Sequence, residues 1–281
     1  MSLRHERRRR LFSDDREAVL SGEPARPPSS APSTANPTKA YTEAAQLARQ
    51  RPVGSLLPSG LLAIALCLGT CLMLVGACLA LHVAADALVA LVPAEDVASL
   101  RLDAPGSIGH WLASTLLVIA GAAAVFVYSL RRHRIDDYHG RYRVWLWMLA
   151  ACLAASLAET TNLDRLARRI CQLAADGSSV RNDVLWPTTV ALIALAVGVR
   201  LYFEIRHCRS AVASLAGGTL CFLFGAACWH GWLMSKTDAA KPLVAYGSWL
   251  VGHVFLLATF LFYARQVQLE VTGVLAVRAR R

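Results

Sequence analysis

The stretch that decides the fold is 57-LPSGLLAIALCLGTCLMLVGACLALH-82. No charged residue interrupts it from Leu61 to Leu81. A helix on the surface of a soluble domain would show a polar face, and this stretch has none. About 20 apolar residues suffice for a helix to cross the hydrocarbon of a bilayer. Five further apolar blocks follow, at 108–130, 144–160, 187–205, 211–234 and 242–263. Across all 281 residues, 56% are hydrophobic and 17% charged. That balance, gathered in blocks, excludes an ordinary soluble enzyme, a secreted disulfide scaffold and a wholly disordered chain. The sequence predicts an all-α polytopic membrane protein, a six-transmembrane-helix bundle. The third block is the shortest. Its Trp145 and Trp147 suit one membrane interface and its Glu159 the other.

Arginine and lysine set the expected orientation. The tail to Ser55 holds 10, the segment 131–143 holds 5, Arg200, Arg206 and Arg209 add 3, and the stretch after Tyr263 adds 4. These 22 fall on one side of a six-span chain and only 7 on the other. The positive-inside bias places both termini in the cytoplasm. The net charge of +10 is read as this bias plus attraction to anionic headgroups, with no nucleic acid partner. No cleavable signal peptide is read ahead of the first block, which is expected to act as an uncleaved anchor. Arg9-Arg10-Leu11-Phe12 resembles a twin-arginine signal, but about 45 residues separate it from the first apolar block. Arg outnumbers Lys 26 to 3, a bias that suits a GC-rich bacterial genome and hence an inner (plasma) membrane.

Three regions follow: a disordered basic tail with a Pro/Ser-rich linker over 1–55, the transmembrane domain over 56–264, and a short basic tail over 265–281. The tail residues Arg7 to Arg10 suit the membrane surface, or a cytoplasmic protein partner. The VAADALVALV stretch after His82 extends the first helix. Residues 162–175 form a short outer helix capped by Thr161, with Leu163, Leu166, Ile170 and Leu173 on one stripe, lying on lipid or roofing the bundle.

Ionisable residues inside spans are costly and invite a functional reading. The topology places His82, His110, Glu159 and His230 in one outer layer, on four different helices. Imidazoles and a carboxylate there suit a divalent metal, and two facing histidines suit a haem, although the sequence requires neither cofactor. His253 lies deeper, where a hydrogen bond from a neighbouring helix satisfies it. Arg131, Arg132, Arg134, Arg141 and Arg143 form a basic hairpin around Asp136-Asp137 and are read as lipid-phosphate contacts. The cysteines Cys67, Cys71, Cys78, Cys152, Cys221 and Cys228 are read as packing residues of the spans. Small residues (Gly69 and Gly76; Gly121 to Ala124; Ala213, Gly217, Gly218, Gly225 and Ala226) mark faces for close helix approach and a homodimer. No P-loop, GxSxG or HExxH occurs in the sequence. The reading is a non-enzymatic assembly, anchoring or sensing component. The alternatives are a haem- or metal-binding membrane protein and a small-molecule transporter.

Overall fold

The computed structural model describes residues 60–88, 91, 93, 97–102, 104, 106–132, 141–161, 163–175, 182–234 and 240–272. The basic tail, the Pro/Ser linker, Asp136-Asp137 and the last nine residues lie outside them. Among the described residues there are seven α-helices. They are α1 (Leu61–Leu88), α2 (Ile108–Arg131), α3 (Val144–Thr161), α4 (Leu163–Ala175), α5 (Asn182–Ile205), α6 (Arg209–Trp229) and α7 (Lys241–Val271). All but α4 are long and apolar enough to cross a membrane.

Every block read from hydropathy is a helix, but the ends differ for local reasons. α1 continues to Leu88, as its apolar run after His82 predicts. α7 runs to Val271, so residues 265–271 are helix and not tail. α5 begins at Asn182, which places Pro187 inside it. α6 stops at Trp229, short of the predicted 234. Gly231 is the cause. It adopts φ +79°, its N–H bonds Cys228 O at 3.1 Å, and Trp232 N–H bonds Ala227 O at 2.9 Å. This pair of bonds is the Schellman closure, and only glycine takes the left-handed position without penalty. Thr161 does not cap α4. It remains in α3, where its hydroxyl donates back to Leu157 O at 2.6 Å.

α7 is the hub. It packs most extensively on α6, then on α2, then on α1, while α3 packs on α2. Lipid supplies no hydrophobic drive between helices, so close contact must come from small residues. A Cβ on Gly225 would lie 2.9 Å from Ala245 O, and one on Gly218 would lie 3.3 Å from Gly252 O. Gly121 plays the same part between α2 and α3, against Leu149 at 3.2 Å. The small face expected on the first span is different: Gly69 and Gly76 have open space where a Cβ would go.

Large side chains fill one half of the bundle. Trp145 stacks on Tyr263, with centroids 4.9 Å apart and planes 15° from parallel, and meets Phe260 edge-on. Trp145 was expected at an interface but is fully buried, whereas Trp147 is exposed. Residue 145 shares the helical stripe of Met148, Cys152 and Ser156, all of which face the core. Cys71, Cys78 and Cys152 are buried among apolar neighbours, in keeping with packing roles. The seven described cysteines outside α4 are free thiols.

Gly225→Leu should lower the unfolding midpoint of the detergent-solubilised protein, by roughly 1–3 kcal/mol of overpacking. Gly76→Leu should leave it unchanged, and fluorescence-detected thermal melts compare the two.

Candidate functional site

Two polar clusters interrupt the apolar bundle, one at each end. The first begins with the short loop before α2. Ser107 caps α2, with its Oγ accepting from the His110 N–H at 3.5 Å. This start places His110 in the first turn, facing the last turn of α3. There His110 Nδ1 lies 2.8 Å from Glu159 Oε2. The second oxygen of the carboxylate, Oε1, accepts from Trp249 Nε1–H of α7 at 3.2 Å. A single carboxylate therefore joins α2, α3 and α7. One turn deeper, Ser114 Oγ and Ser156 Oγ lie 2.8 Å apart and join α2 to α3 again. Tyr246 meets His110 edge-on, with centroids 6.0 Å apart.

The helix ends make this pair costly. Glu159 sits near the C-terminus of α3, and His110 near the N-terminus of α2. A negative charge at a helix C-terminus opposes the helix dipole. His110 and Glu159 hold each other in place, and the indole N–H of Trp249 holds the carboxylate as well. Both side chains are more than four-fifths buried, at 19% and 17% exposure.

His253 is one turn beyond Trp249 on α7. Its Nδ1–H donates to Trp249 O at 2.9 Å, and Phe222 meets its ring edge-on at 5.1 Å. The partner carbonyl belongs to its own helix, not to a neighbour. The His253 ring also lies 6.0 Å from that of Trp249, the residue whose indole reaches Glu159.

The other predicted outer-layer residues stand apart. His82 is buried, and its Nδ1 accepts the Leu102 N–H at 3.2 Å. This bond ties the connection after α1 back onto that helix. His230 falls just past the end of α6, exposed, with its ring tilted against Trp232. It was expected four residues inside the span, and the glycine closure moves it out. Of the four, only His110 and Glu159 come together. Among the described residues no group of three or more His, Cys, Asp or Glu side chains is arranged to hold a metal ion.

The second cluster was not foreseen. Arg131 ends α2, and its guanidinium donates to Glu204 Oε1 of α5 at 2.9 Å and to the Tyr263 hydroxyl of α7. The side chains of Arg131 and Glu204 are only 14% and 11% exposed. Arg131 was expected on lipid phosphate and instead turns inward, because a carboxylate and a phenol from two other helices lie within reach. Arg132 and Arg143 are exposed, while the side chains of Arg134 and Arg141 lie outside the described residues. The available signal was Glu204 itself, an acid near the end of an apolar span that requires a cationic partner.

No family model, curated protein or solved structure matches this chain significantly. The class the fold defines is therefore the coarse one: an all-α chain whose six long apolar helices make it a candidate multi-pass membrane protein.

Glu159→Ala removes the acceptor shared by His110 and Trp249. It should cost roughly 1.5–3 kcal/mol, the range for hydrogen bonds to a charged group. Glu159→Gln keeps an acceptor for the indole and should cost clearly less. Thermal melts in the same detergent, with Trp fluorescence reporting on Trp249, measure both.

Proposed function

We propose that the chain is a non-enzymatic component of a membrane assembly, in which α5 is the element offered to a partner. The observation that carries this reading is the uneven packing of the spans. In α2 and α7, 56% of the span is buried, and in α5 only 11%. Among the described side chains of α5, the fully buried ones are Leu201 and Ile205 in its last turns, where Glu204 meets Arg131. Towards its start, Leu192, Ile193 and Leu195 are about three-fifths exposed, at 61%, 58% and 62%. Helices in lipid associate through close packing and interhelical hydrogen bonds. Leu192, Ile193 and Leu195 leave apolar surface of α5 open, and close packing there requires a partner helix. A second copy of the chain or a different subunit meets that requirement.

The arginine distribution supports a bacterial inner membrane with both termini in the cytoplasm. In that setting Arg7 to Arg10 face anionic headgroups and are available to a cytoplasmic partner. A metal or haem function has little support, since only two of its four expected ligands meet.

Photo-crosslinkers at Leu192 and Leu195 in native membranes should give protein adducts, with the complex retained in lipid nanodiscs larger than one chain. Adducts with lipid alone, together with a single chain per nanodisc, would sink the reading. The orientation has its own check: a C-terminal reporter fusion should be active in the cytoplasm and silent outside.

A further inference from the structure

The short helix α4 joins α3 to α5 and is too short, at 13 residues, to cross a bilayer. Its apolar residues Leu163, Leu166, Ile170 and Leu173 are spaced 3, 4 and 3 apart, which places them on one stripe of a helix. A roof over the bundle would bury that stripe. It is instead exposed, with Leu163, Leu166, Ile170 and Leu173 at 39%, 55%, 56% and 70%. At 3.6 residues per turn, Arg169 falls roughly 80° round from the centre of the stripe, at its edge, and Arg168 falls on the opposite face. Both are exposed.

We propose that α4 is an in-plane membrane anchor, with its Leu/Ile stripe set into the boundary between acyl chains and headgroups and Arg169 reaching the lipid phosphates. Three observations select lipid as the occupant. α3 ends at Thr161 and α4 begins at Leu163, so one end of α4 is fixed at the level where a span leaves the hydrocarbon. α5 begins at Asn182, so the other end is returned to that level within a few residues. Apolar residues on one face, with an arginine at its edge, are the pattern of a helix lying in an anionic interface. A long basic side chain there keeps its stem in apolar surroundings and its guanidinium among phosphates. The anchor holds the start of α5 at a constant depth. It stands independently of what α5 binds.

The test uses the full-length protein reconstituted in vesicles of phosphatidylethanolamine and phosphatidylglycerol. Benzoylphenylalanine is placed singly at Leu166, Ile170 or Arg168, and the adducts are weighed by mass spectrometry. Lipid-mass adducts should dominate at Leu166 and Ile170 and fall several-fold at Arg168. Crosslinks from Leu166 or Ile170 to a second copy or to another part of the chain would overturn the proposal, as would equal lipid labelling at all three positions. A second measurement does not rely on the crosslinker. Amide hydrogen exchange over 163–175 should be slow in vesicles and several-fold faster in the L166D/I170D variant, with exchange in α2 and α7 unchanged. Exchange over α4 that is equally fast in both proteins would count decisively against the anchor.

Discussion

In this chain the close approach of α6 to α7 is the contact on which the rest depends. Hydrocarbon is as apolar as leucine, so burying a greasy side chain between helices gains little over leaving it in lipid. What remains is the dispersion attraction of surfaces that fit, and Gly218 and Gly225 let the α7 backbone come within reach. With α7 seated, its other faces receive α2 and α1, and α3 closes on α2 across Gly121. α5 lies outside this order of packing. It meets the core through Leu201, Ile205 and the Glu204–Arg131 ion pair near its C-terminal end, and it also contacts α3 and α4.

The polar clusters do work that packing alone does not. Smooth apolar faces can slide and rotate past one another at little cost. Glu159 removes that freedom at one end, because its two oxygens engage groups on two different helices. Arg131 does the same at the other end, by contacting both α5 and α7. Both clusters contain charges that would be costly if left alone in a low-dielectric bundle, so they specify register more than they add stability. The pair His110–Glu159 is the more demanding, since the carboxylate also opposes the dipole of α3.

Some of this was legible before any coordinates. Long apolar runs identify six candidate spans, because a bilayer imposes a length on each helix that crosses it and every backbone group must be satisfied within it. His110 and Glu159 were readable as related, since both stand at the same end of antiparallel neighbours. Gly217, Gly218 and Gly225 were readable as a contact face because lipid packing favours small residues. The end of α6 was also written in the chain, at Gly231, but hydropathy outweighs a single glycine when apolar residues continue past it. That is why His230 was placed too deep.

Other features had no local signature. Whether a small-residue face is used depends on what lies opposite: Gly225 meets a backbone and Gly76 meets nothing. Whether an arginine near a span end points to lipid or inward depends on Glu204 and Tyr263, which are 73 and 132 residues away. The meeting of Trp249 with Glu159 depends on how α7 is set against α3. The number and apolar character of the long helices among the described residues follow from one-dimensional rules of solvation, and the sequence alone determined them. Rotation, register and partner choice are decided by which surfaces can approach within van der Waals distance, and only the assembled bundle contains that information.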